Sequence, residues 1–112
     1  MDKWKELKIA GISNIEKVVA EFNIWSLEKI PYGKFKVKVI ENKKGGFIGI
    51  PNVRIKNSSD GSIDGISGLG TSIDEALEDT LIYLMDLVND YEKKYKRELT
   101  EEDFEWSSPE DF

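Results

Sequence analysis

An α+β fold is predicted for this chain. Two layers are expected: a three-stranded antiparallel meander packed on a long C-terminal helix, with an N-terminal helix before the sheet. Three observations carry the prediction. Residues 34–41, KFKVKVIE, alternate apolar and polar side chains, the period of a half-buried strand. Residues 73–96 place apolar side chains three and four apart, the period of a helix with one buried stripe. Short turns rich in Gly and Asp separate the apolar runs between them, as a meander requires.

The N-terminal helix is expected to begin at Ser13. Ser13 and Glu16 have the spacing of a capping box, in which hydroxyl and carboxylate each satisfy a free backbone N–H. Ile15, Val18, Val19 and Phe22 then fall on one helical stripe. The helix is expected to run through Trp25 and Leu27 until Pro31 and Gly33 end it. Ahead of it, Trp4 and Leu7 are expected to anchor a short turn.

The first strand is 34–41, with Phe35, Val37 and Val39 inward and Lys34, Lys36 and Lys38 outward. NKKGG supplies a hairpin, and 47–56 is expected as the return strand. Pro51 cannot donate to a ladder and marks an edge or bulge there. Asp60-Gly61 is a tight-turn signal before a third, glycine-weakened strand over 63–70. In the long helix, Ile73, Leu77, Leu81, Leu84, Val88 and Tyr91 trace the buried face, broadened by Ala76 and Leu87. Ser72 and Glu75 form a second capping box. Acids crowd its first turns and bases its last, in agreement with the helix dipole. Thr100 is expected to cap one further turn through Asp103.

The 112 residues suit one domain over 1–97, followed by an acidic C-terminal tail over 98–112. Residues 1–44 carry a net charge of +4, residues 45–97 of −3, and residues 98–112 hold seven acids and no base. At a net charge of −6, nucleic-acid binding through the global field is not expected. There is no cysteine, hence no disulfide or thiolate metal site, and no histidine, hence no imidazole base or ligand. No catalytic residue, cofactor or metal is expected, and the chain is read as a non-enzyme. It has no signal-peptide pattern and no apolar run long enough for a bilayer. A cytoplasmic protein without membrane contact is expected.

GISGLGTSIDEAL, residues 65–77, is the one stretch that hints at catalysis. Gly68 and Gly70 precede a helix N-terminus, as in a phosphate loop. The lysine of such a loop is missing, however, and Asp74 and Glu75 already place negative charge in the first turn. A purely structural strand-to-helix turn is expected. Asp60-Gly61-x-Ile63 echoes the middle of a calcium loop, but its outer ligand positions fall on Lys56 and Ser67.

The run Phe35-Lys36-Val37-Lys38-Val39, Gly45-Gly46-Phe47, Pro51 and Gly70-Thr71-Ser72-Ile73-Asp74-Glu75-Ala76-Leu77 resembles HicB-like antitoxin domains over residues 34–90. The resemblance implies a βββα layer, often a homodimer, that binds and masks a small toxin. The helix before the sheet and the longer second hairpin depart from that pattern.

The function expected is that of a small acidic protein-interaction module, antitoxin-like or resembling phage-type inhibitors, that masks a protein partner. Phe104, Trp106 and Phe112 alternate with Glu101, Glu102 and Asp103 and the other tail acids. Acids steer encounter and an aromatic fills a pocket. Phe104 and Trp106 either dock or fold back on the core; Phe112 is expected to be free. Glu78, Asp79 and Asp86 on the long helix offer a second acidic surface, which suits an alternative reading as a nucleic-acid mimic. A further alternative is weak nucleic-acid binding through Lys34, Lys36, Lys38, Lys43 and Lys44 on the first hairpin.

Overall fold

A computed structural model describes residues 3–57 and 60–112. It is α+β, with antiparallel strands packed against one long helix. The elements run β1 (Lys17–Trp25), β2 (Lys34–Glu41), β3 (Phe47–Pro51), β4 (Val53–Lys56), β5 (Ile63–Asp64), β6 (Gly68–Gly70), α1 (Ile73–Tyr95) and β7 (Phe104–Trp106). They form a four-stranded sheet of order β1-β2-β3-β6 and a three-stranded sheet of order β5-β4-β7.

The N-terminal helix expected over 13–27 is a strand instead. Trp25, Phe22 and Val18 pair with Lys34, Val37 and Ile40 of β2, with a bulge between Val18 and Ala20. Two periods coexist in this stretch. Ala20, Phe22 and Ile24 fall opposite Val39, Val37 and Phe35, so alternation half-buries an apolar row beside an apolar strand. The β-branched Val18, Val19 and Ile24 favour that pleated surface over a helix. Glu16 lies outside any helix, and the capping box it suggested does not form.

The meander is also more divided than expected. The strand predicted over 47–56 breaks at Asn52. Asn52 N–H donates to Lys36 O and its side-chain oxygen accepts from Lys36 N–H, both at 2.9 Å. Its carbonyl accepts from Ser107 N–H at 2.9 Å. Pro51 ends β3, and Asn52 turns the chain into the second sheet. The strand predicted over 63–70 likewise splits, β5 joining the second sheet and β6 the first. The Asp60-Gly61 turn is present, with Gly61 N–H donating to Asn57 O at 2.7 Å; its neighbours Ser58 and Ser59 lie outside the described residues.

Helix α1 starts and stops as its sequence dictates. Ser72 Oγ accepts from Glu75 N–H at 3.1 Å, while the Glu75 carboxylate accepts from the Thr71 hydroxyl at 2.6 Å. Lys96, in the left-handed region, closes the other end. Ala76, Thr80, Leu84, Val88 and Tyr91 are its buried positions, with Leu77 and Leu81 half-buried on the flank. Leu84 and Val88 meet Phe35 and Val37 of β2, Val53 and Ile55 of β4, Ile30 and Phe104 in one core. Both sheets therefore share it.

Thr80 was not expected on the buried stripe. Its presence follows from the glycines. A Cβ at Gly68 would collide with the Thr80 backbone nitrogen, one at Gly49 with the Thr80 hydroxyl, and one at Gly70 would lie 2.5 Å from Ala76 N. The glycines bring sheet and helix backbones together, and only a small side chain fits between them. Thr80 satisfies its own buried hydroxyl by donating to Ala76 O at 2.7 Å.

Candidate docking surface at the β1–β2 connection

The connection between β1 and β2 is a tight loop with its inside and outside clearly divided. Ser26 N–H donates to Gly33 O at 3.0 Å, Ile30 N–H to Ser26 O at 3.2 Å, and Gly33 N–H to Ile30 O at 2.9 Å. Ile30 is buried in the core and pins the loop. Lys29 extends to Glu92 of α1, Nζ to Oε1 at 2.9 Å. What remains outside is Glu28 and three large apolar side chains: Trp25, Leu27 and Tyr32 are 66%, 81% and 75% exposed. Single exposed apolar residues are ordinary, but three large ones on one connection are not.

Tyr32 adds a second irregularity. Its φ is 66°, a region that bulky side chains rarely adopt. Such a conformation costs about 1–3 kcal/mol. Gly33 follows at φ 69°, so two successive residues are left-handed and only one of them is glycine. The Tyr32 hydroxyl donates to the Glu101 carboxylate, which holds the phenol above its ordinary pKa. Its ring lies 6.1 Å from that of Trp106, tilted by 56°. Glu28, Lys29, Tyr32, Leu99 and Glu101 border a cleft of about 320 Å³ between the loop and the C-terminal segment.

That segment, the first part of the acidic C-terminal tail, is built into the fold as far as Trp106. Glu92 accepts from Lys29 and, at 3.1 Å, from Leu99 N–H; its bond from Lys29 keeps its carboxyl below the ordinary range. Arg97 grips Asp103 with two nitrogens, at 2.8 and 3.0 Å. Asp103 also accepts from Thr100 N–H at 2.7 Å, closing the turn over Glu101–Asp103 that the sequence predicts. The Arg97 guanidinium first, and then the Thr100 N–H, against the opposing effect of burial, lower the Asp103 pKa from 3.8 to about 2. Phe104, Glu105 and Trp106 then pair as β7 with Ile55, Arg54 and Val53.

The nine residues expected to bind a partner therefore fall into three places. Glu101 is exposed at the cleft and Glu102 is exposed next to it in sequence, with Trp106 half-buried beside Tyr32. Asp103 and Phe104 of the same segment are buried, at 5% and 4% exposure, and Phe104 fills the core in place of docking. Phe112, expected to be free, lies against Lys38: Nζ sits 4.8 Å from its ring and donates to its carbonyl at 2.7 Å. Glu78, Asp79 and Asp86 are exposed on α1. Asp79 there accepts from Leu69 N–H at 2.8 Å, which ties the helix to the edge strand β6. Of the hairpin lysines, Lys34 sits 4.9 Å from the Trp25 ring and Lys43 donates to Leu7 O at 3.2 Å.

Trp25, Leu27 and Tyr32 were not recognised from sequence. A helical period over 13–27 includes the first two, and Pro31 and Gly33 read in sequence only as the end of that helix. Among the described residues, no group of three or more carboxylates is placed to hold a metal ion, and no helix is long and apolar enough to cross a membrane. Comparison with protein-family models, with curated proteins and with solved structures gives no match to this chain.

Proposed function

We propose that this chain is a non-enzymatic protein-interaction module of the cytoplasm that binds and masks a protein partner. Trp25, Leu27 and Tyr32 are its apolar anchors, and Glu101 and Glu102 form part of the charged rim. The observation that carries this reading is Tyr32: a bulky aromatic, 75% exposed, held in a left-handed conformation that glycine would adopt without strain. The bond to Glu101 and the contact with the Trp106 ring offset part of that strain, but they leave most of the side chain in solvent, which suits a docking aromatic. The antitoxin-like reading draws support from chain order. Strands β2, β3 and β6 are neighbours in one sheet and β6 leads into α1, with β4 and β5 of the second sheet inserted between β3 and β6; without that insertion the order is the βββα that the HicB-like resemblance implies.

A photo-crosslinking residue in place of Leu27 tests the proposal in the native host. It should join the chain to one protein, and the adduct should disappear when Tyr32 and Trp25 are also replaced. Adducts formed from position 78 or 86 of α1 and not from 27 would refute this surface and favour the nucleic-acid-mimic reading.

A further inference from the structure

We propose that the partner segment taken by this surface is cationic, a short stretch with lysine or arginine beside an apolar residue; this rests on the docking reading of the same surface. Two independent features of the surface converge on that chemistry.

The first is charge. Glu28 and Glu101 border the cleft, and Glu102, the next residue after Glu101, is exposed. Among the described residues the one base on its wall, Lys29, is already bonded to Glu92 and lies within the field of Glu28 and Glu98. An acidic segment would be repelled at distances shorter than the roughly 8–10 Å over which salt screens. A neutral one would dehydrate the carboxylates and return nothing to them.

The second is the aromatic rings. This protein repeatedly places cations on its aromatic faces: Lys34 on Trp25 at 4.9 Å, Lys38 on Phe112 at 4.8 Å, Arg97 on Tyr95 at 5.2 Å, and Lys94 on Tyr91 and Tyr95 at 5.8 Å. Among the described residues no cation lies over Tyr32 or Trp106. Their rings are tilted together, and Tyr32 borders the acidic cleft and is open to solvent. A partner's lysine or arginine can lie against the Tyr32 ring and within reach of Glu101 and Glu28, joining a cation–π contact to an ion pair. Its apolar neighbour covers Leu27.

Three fluorescein-labelled twelve-residue peptides with the same leucine and phenylalanine, differing only in carrying arginine, serine or glutamate elsewhere, test this by anisotropy in 0.1 M NaCl. The arginine peptide should bind at least about ten-fold tighter than the other two. The Glu28→Gln/Glu101→Gln variant should lose most of that preference. Glu78→Gln/Asp86→Asn changes net charge equally and should keep it. Equal loss in both double variants would overturn the proposal, because the global field would then account for binding. Equal affinity for all three peptides, abolished by Leu27→Ser, would overturn the cationic assignment and leave the docking surface standing. No binding by any peptide, with no crosslink from position 27, would remove both.

Discussion

Helix α1 and the segment 98–106 cover the same core by different means. The helix contributes five buried positions along one face, and the Thr80 hydroxyl among them is satisfied within the helix by Ala76 O. The C-terminal segment contributes Phe104 and half of Trp106, and depends on a buried carboxylate to hold its turn. One covering is mainly apolar and uncharged; the other is an aromatic anchor latched by Arg97 and Asp103. Burial of apolar surface changes little with acid, whereas a latch made of ionised groups changes greatly.

The strongest way to break this contrast is to remove the anchors. Phe104→Ala should destabilise by about 3–5 kcal/mol and Leu84→Ala by about 2–5 kcal/mol, measured by chemical denaturation. If the segment were only a cover, Phe104→Ala would leave the midpoint unchanged and free residues 98–112 alone.

Acid separates the two coverings more finely. The folded Asp103 carboxyl titrates near 2, below its ordinary 3.8. Its contribution is therefore complete above about pH 4 and is lost as pH falls through about 2. It is worth roughly 2 kcal/mol. The lowered Glu92 carboxyl acts in the same direction. Between pH 4 and pH 2, amide exchange should rise over 99–106 before it rises over 80–91. In Asp103→Asn that early opening should already be present at pH 7. Simultaneous opening of both regions would show that the latch is not local.

The smallest expected effect is the most specific. Tyr32→Gly relieves the left-handed strain but gives up the bond to Glu101 and adds chain entropy. Thermal unfolding should place it within about 1 kcal/mol of the parent, with docking lost. A loss of several kcal/mol would make Tyr32 a structural residue.

How far these features can be read in the sequence depends on what determines them. Helix 73–95 is legible because its period, its Ser72 cap and its end charges agree. Strand 34–41 is legible because its alternation admits no second period. Residues 17–25 satisfy both a helical and an alternating pattern, and only the neighbouring β2 decides between them. Asn52 breaks a strand through bonds to Lys36 and Ser107, residues distant in sequence. Tyr32 is legible as a turn residue, but its exposure depends on Ile30 being drawn into a core that local sequence does not describe. The acids of 98–112 suggest a free tail until the bidentate bond between Arg97 and Asp103 is seen.

The glycine seam also constrains inheritance. At Gly68 and Gly70 the nearest obstacles include the helix main chain, and at Gly49 the Ala76 carbonyl stands 2.9 Å from where a Cβ would be. A change of side chain on α1 cannot make room, because backbone does not mutate away. Each of the three sites is closed to substitution for as long as the helix keeps its place, and no second mutation reopens it. Descendants of this chain would hold these glycines fixed beside a helix N-terminus, the same signature that a phosphate-binding loop leaves. In this lineage that constancy would record how closely two backbones meet, whatever the protein binds.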